Sequence, residues 1–218
     1  MSHVVTLDEN NEAVQYLSSK DKRLCKVIKM LGPITYAPYE DAFAFLVNQI
    51  LSQLLAAKVS KKMSERLVAL CGGQITPENV LKLSPSDIRS TGASIQKAQY
   101  ILGLASSFVN GEIDTAHLNE LPDKEIIKEL TKIKGIGSWT AKMYLIFVLN
   151  RDDVLPFEDY AFLQGYGWLY KTDDFSRKSV EKKTMKWRPY RSIAARYLYR
   201  ALDGGLTKQE FHLHKEIE

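Results

Sequence analysis

The 218-residue sequence has little of what metal and redox chemistry needs: two cysteines, Cys25 and Cys71, and four histidines. Two thiols cannot supply the four thiolates of an iron–sulfur cluster, so both read as buried free cysteines. His3, His117, His212 and His214 lack metal-ligand spacing, and the His212-x-His214 pair reads as a surface feature. No apolar run reaches the roughly 18 residues that a bilayer span requires, and the N-terminus lacks a signal-peptide layout. Internal repeats, low-complexity tracts and convincing strand pairs are missing too. These absences leave an all-α, intracellular protein, expected in the cytoplasm of a prokaryote or the nucleus of a eukaryote.

What is present fits that class. Hydrophobic residues make up 45% of the chain and charged residues 26%, enough for a core in one domain or two small lobes. The net charge is only +4, so its distribution matters more than its total. Between Lys171 and Arg200 there are ten Lys/Arg against three Asp/Glu. Trp187, Tyr190, Tyr197 and Tyr199 are interleaved there, which favours a nucleic-acid face over a merely solvated helix.

Helical periodicity runs through most of the chain. A first helix is expected from Asp8 to about Ser18 and a second from Asp21 to Leu31, closed by Gly32-Pro33. Ile34 to Ala37 reads as a linker. Glu40 to Leu55 is strongly apolar and reads as a central buried helix, interrupted by Gln49, Ser52 and Gln53. Val59–Leu70 follows, then two short helices opened by Thr76-Pro77 and Ser84-Pro85, with proline at the first helical position. Thr91-Gly92-Ala93-Ser94 then breaks the pattern and caps a longer helix to about Val109. After Asp159, helices are expected near 160–170, 176–186 and 190–202.

The centre of the chain is Leu130 to Tyr160. Ile126, Ile127, Leu130 and Ile133 have helical spacing, as do Ala141, Leu145, Val148 and Leu149. Between them lies Lys134-Gly135-Ile136-Gly137, whose glycines permit positive φ and close backbone approach. Ser138 is placed to cap the second helix. Such a turn is a plain helical hairpin or, through main-chain N–H groups beside a helix N-terminus, a seat for a phosphate oxygen. Further on, Val154-Leu155-Pro156-Phe157 leads stiffly to Glu158-Asp159. Asp159 reads both as an N-cap and as a carboxylate aimed into a cleft, readings that are compatible.

Leu130-x-x-Ile133-Lys134-Gly135-Ile136-Gly137-Ser138-Trp139-Thr140-Ala141, followed by Leu155-Pro156-Phe157-Glu158-Asp159-Tyr160, resembles the signature of the helix-hairpin-helix (HhH-GPD) DNA glycosylase superfamily. The branch most resembled is the bacterial 3-methyladenine DNA glycosylase II group, in a compact form without its extra N-terminal domain. Ile50-Leu51-Ser52-Gln53-Leu54 and Trp187-Arg188-Pro189-Tyr190-Arg191-Ser192-x-Ala194 extend the resemblance to about residues 43–199.

The resemblance implies two helical lobes with a cleft between them. Residues 38–150 would form one; residues 1–37 with 151–218 would form the other and carry Asp159. It implies a monofunctional enzyme of base excision repair. The enzyme would flip out an alkylated purine such as 3-methyladenine and hydrolyse its glycosidic bond. Asp159 would be the catalytic carboxylate, with Glu158 second. Trp139, Phe43 and Tyr199 would line the base pocket, with core packing the equal alternative. Trp139 stands where bifunctional relatives carry a nucleophilic lysine, so no Schiff base is expected. Gly135, Gly137, Ser138, Gln53 and Leu54 would meet DNA, with Leu54 either a wedge or a core leucine. Main-chain carbonyls of Thr131, Ile133 and Ile136 would hold a monovalent cation, Na+ or K+. No other cofactor is expected, and the partner is damaged double-stranded DNA, bound by a monomer. Two rivals remain: a glycosylase for hypoxanthine or an oxidised purine, and a non-catalytic helix-hairpin-helix DNA-binding module.

Overall fold

The computed structural model describes residues 4–213, so His3 and His214 lie outside the described residues. The described chain is mostly helical, with thirteen α-helices and one two-stranded sheet. It divides into two compact units. Unit 1 comprises Met1–Pro38 with Asn150–Glu218, and unit 2 is Tyr39–Leu149.

Unit 1 opens with strand β1 (Val5–Leu7), which pairs antiparallel with β2 (Ile34–Tyr36) in the register Thr6 to Thr35. This corrects the linker reading of residues 34–37. Three residues are too few for an alternation to show, and the partner strand lies beyond two helices. Those helices are α1 (Glu12–Lys20) and α2 (Lys22–Leu31). α1 starts later than expected, because Asn11 supplies the cap while Asp8 accepts from the Asn10 amide in the turn before it. The unit resumes with α11 (Tyr160–Tyr170), α12 (Arg177–Thr184), a 3-10 turn at Met185–Trp187 and α13 (Arg191–Asp203). Leu17, Leu24, Phe162, Tyr166, Trp187, Tyr197 and Leu198 are fully buried together.

A carboxylate sits inside this core. Asp21, 2% exposed, caps α2 through the amides of Arg23 and Leu24. Its other oxygen accepts from the Tyr170 hydroxyl at 2.5 Å and the Trp187 indole at 2.9 Å, and Lys186 lies 3.1 Å away. Burial works to raise this carboxyl's pKa, but the hydrogen bonds from Tyr170, Trp187 and Lys186 bring it below the ordinary value.

Unit 2 is built on α3 (Ala42–Ser52), whose Phe43, Leu46, Val47, Ile50 and Leu51 are buried. Around it stand α4 (Ala57–Leu70), α5 (Pro77–Leu81), α6 (Pro85–Ser90) and α7 (Ile95–Val109). The Ser84-Pro85 start is a full capping box with Asp87. α8 (Thr115–Glu120) was not foreseen; Asp114 caps it and only Leu118 is buried, too short a stripe to show as a period. The hairpin helices are α9 (Asp123–Leu130) and α10 (Ser138–Phe147).

Candidate active site

In unit 2 the hairpin turn is held from two sides. Gly135 has φ +91°, and a Cβ there would stand 2.6 Å from the Tyr100 ring of α7, so only glycine fits. Its carbonyl accepts from the Gln53 side-chain amide at 2.9 Å. Gln53 ends α3, and Lys97 of α7 donates to the carbonyls of Leu51 at 2.7 Å and Gln53 at 2.8 Å. Lys97 thus closes the helix end where orphan carbonyls gather. The sequence reading missed it; a lysine three residues past an N-cap carries no signal of its partner.

Gly137 differs from expectation. Its φ of −100° is one that any residue adopts, and a Cβ would meet nothing within 4 Å. Gly137 is itself the N-cap of α10, and Ser138 is the first helical residue rather than the cap. A glycine N-cap supplies no side-chain acceptor to the first turn of the helix. What glycine leaves at this position is open approach to the main chain from outside.

Leu54 follows Gln53 with φ 59° and a fully exposed side chain. The core reading of Leu54 is therefore excluded. A leucine in the left-handed region is strained, and exposing it gives up burial as well. Phe43, 3% exposed, packs edge-on against Phe108 with ring centroids 5.1 Å apart, so its ring belongs to the core of unit 2. Trp139 is half-buried in the first turn of α10. A recess of about 1030 Å³ in unit 2, lined by Tyr100, His117, Leu118, Glu125 and Lys134, takes in only Ile133 of the predicted site residues.

In unit 1, Asp159 is the N-cap of α11 and is 8% exposed. Its Oδ1 accepts from the Phe162 amide at 2.9 Å. Glu158 is turned to a different partner, the Arg177 guanidinium, 3.2 Å away. The approach to Asp159 is braced locally by Phe157 N–H to the Leu155 carbonyl and Asp159 N–H to the Pro156 carbonyl, at 2.9 and 3.0 Å. Farther back it is pinned by α13. Arg191 grips Asp153 through Nε at 2.6 Å and Nη2 at 3.0 Å, and the Val154 amide donates to Ser192 Oγ at 2.9 Å. The motif around Trp187 to Ser192 therefore holds the loop that delivers Asp159. Tyr199, on the same helix, is near enough to feel that carboxylate: burial first, then Asp159, pushes its hydroxyl well above the ordinary tyrosine pKa.

The basic stretch is less of a face than its count suggested. Carboxylates from elsewhere in unit 1 take up much of it: Glu210 pairs with Lys171, Asp21 with Lys186, and Asp153 with both Arg188 and Arg191. Trp187 and Tyr197 are fully buried, which removes them from any external surface.

Comparison with known proteins gives consistent matches along most of the chain. Residues 47–189 match the family model described as HhH-GPD superfamily base excision DNA repair protein. The chain is 32% identical over 192 residues to DNA-3-methyladenine glycosylase 1 of Schizosaccharomyces pombe, covering 85% of this chain and 84% of that one. A solved structure of a DNA-3-methyladenine glycosidase from Bacillus halodurans superimposes with a TM-score of 0.82 at 30% identity, covering 96% of this chain and 97% of the other. The 3-methyladenine DNA glycosylase of S. pombe, solved in complex with abasic DNA, gives 0.79 at 29% identity over 94% of this chain and all of that one.

Proposed function

We propose that this chain, which belongs to the HhH-GPD superfamily of base excision DNA repair proteins, is a monofunctional DNA glycosylase that excises alkylated purines such as 3-methyladenine. The likeness across nearly the whole chain to proteins named for that activity carries the reading. The geometry around Asp159 supplies a mechanism.

The glycosidic C1′–N bond breaks with both electrons leaving on the base, and positive charge develops on the sugar. The Asp159 carboxylate stabilises that charge and takes the proton of the water whose oxygen bonds to C1′. An alkylated purine is cationic and leaves as a neutral base, so little acid assistance is needed. Its charge also favours an aromatic face such as Tyr199 or Trp139, worth roughly 0.5–2 kcal/mol per contact. Trp139 has no amine to attack the sugar, so the product is an abasic site on an intact strand.

Strand binding falls to the hairpin, whose main-chain amides at Gly135, Gly137 and Ser138 suit a phosphate oxygen without reading base order, the Ile136 amide being bonded within the turn. Leu54, exposed and strained, serves as the wedge that fills the gap left by the extruded nucleotide. Main-chain carbonyls of Thr131, Ile133 and Ile136 would hold a monovalent cation there. Neutral oxygens at a tight turn fit such an ion, and the Ile133 carbonyl, which accepts the Ile136 amide at 3.0 Å, has a second lone pair to give. The bound ion would add positive charge beside the phosphate.

The experiment is to incubate the protein with methylated duplex DNA and identify the released bases. Free 3-methyladenine with strands that break only after alkali supports the proposal. Release of hypoxanthine or oxidised purines alone, or prompt nicking with a borohydride-trapped adduct, overturns it.

A further inference from the structure

Ser192, Arg196 and Tyr199 follow one another at i, i+4 and i+7, so they form a single stripe of α13. Ser192 holds the loop before Asp159 at two points. Its amide donates to the Asp152 carbonyl at 2.9 Å, and its hydroxyl accepts from Val154. Tyr199 lies within the electrostatic reach of Asp159. Arg196 stands between them and is the unexpected member. It is 7% exposed, in a helix otherwise packed with alanine, leucine and tyrosine.

Burying a guanidinium is costly, and an apolar residue of similar size would fill the space as well or better. The surroundings offset that cost in a specific way. The guanidinium lies over the Tyr36 ring at 3.7 Å from its centroid. Its Nη2 donates to Asn150 Oδ1 at 3.3 Å, and the same oxygen accepts from the Tyr36 hydroxyl at 3.0 Å. Asn150 has φ 51° and opens the segment that ends at Asp159. The Arg196 charge also acts on Asp152, whose carboxyl is raised by burial and drawn down by Arg196, and on Tyr199 from the side opposite to Asp159 in sign.

The geometry points to Arg196 as a positioning residue for the hydrolysis: with Tyr36 and Asn150 it fixes the start of the 150–159 loop, and through that loop it holds the Asp159 carboxylate in its working orientation. Arg196 does not touch substrate in this scheme; it acts by preventing small displacements of a group that must face one carbon atom. The inference rests on the assignment of Asp159 made above.

The test compares Arg196→Met, Arg196→Lys and Asn150→Gly with the parent protein, in single-turnover excision from a duplex carrying one alkylated purine. Asn150→Gly removes the shared acceptor while tolerating the left-handed φ. A carboxylate displaced by about an ångström costs on the order of 100-fold in rate, so Arg196→Met and Asn150→Gly are expected to slow excision by about 10- to 100-fold. Duplex affinity stays within about twofold, because no DNA contact is lost. Arg196→Lys keeps the charge without the planar fork and recovers only part of the rate. A folded Arg196→Met protein that excises at the parent rate overturns the proposal, as does a loss that appears only as weaker DNA binding. If Arg196→Met does not fold, Asn150→Gly decides by the same two criteria. Asp159→Asn measured alongside separates the two readings. An inactive Asp159→Asn with an unaffected Arg196→Met removes only the role of Arg196, whereas a fully active Asp159→Asn removes the catalytic assignment itself.

Discussion

Gln53 donates its side-chain amide to the main-chain carbonyl of Gly135, 82 positions away along the chain, at 2.9 Å. The end of α3 and the hairpin turn are therefore one object. Lys97 completes it by capping Leu51 and Gln53. Gln53, which reads from the sequence as a polar interruption in a buried helix and by resemblance as a DNA contact, spends its side-chain amide on tying the segment that carries the exposed Leu54 to the hairpin turn.

Gln53→Ala removes that tie and leaves the Gly135 carbonyl short of a donor. The expected loss is about 1 kcal/mol of stability, with weaker affinity for duplex DNA. Denaturant melts and fluorescence anisotropy on the same preparation check both.

Gly135→Ala and Gly137→Ala should separate folding from binding. The first forces a Cβ into Tyr100 at a left-handed φ, and destabilisation of about 2–4 kcal/mol is expected. The second meets open space at an ordinary φ, so stability changes by no more than about 1 kcal/mol. Duplex binding nevertheless falls in Gly137→Ala, because the added methyl occupies the approach to the hairpin amides.

Asp21 gives stability a pH dependence whose sign follows from its hydrogen bonds. Its carboxyl is depressed below the ordinary value of 3.8 in the folded state. The folded state therefore binds this proton less readily than the unfolded chain. The contribution is complete above that ordinary value and is lost as pH falls through the lower, folded one. Asp21→Ala strands the Tyr170 and Trp187 donors and should cost about 2–4 kcal/mol at neutral pH. The denaturation midpoint of the variant should then fall less steeply than the parent's below about pH 4, the region in which such a carboxylate titrates.

Much of this architecture was legible because local signals carried it. The Ser84-Pro85 and Thr76-Pro77 starts, the α2 stripe and the Asp159 cap rest on residues within one turn of each other. The hairpin signature also identified the family. What escaped has long-range causes. β1 and β2 are each three residues long and define each other only by pairing. The partners of Lys97, Arg191 and Arg196 lie between 38 and 160 positions away, so those side chains look like ordinary surface charge until the chain is folded. The same blindness made residues 171–200 look like an exposed basic face, since Asp21, Asp153 and Glu210, which pair with it, lie outside that stretch.

The catalytic assignment is tested most directly by Asp159→Asn. Asparagine caps a helix about as well as aspartate, so the Phe162 amide keeps its acceptor and the fold is retained. Single-turnover formation of abasic sites on alkylated duplex is the measurement. A fall of about 100-fold or more, with duplex affinity and melting temperature preserved, is the predicted result. Excision at the parent rate by a folded Asp159→Asn protein would contradict it.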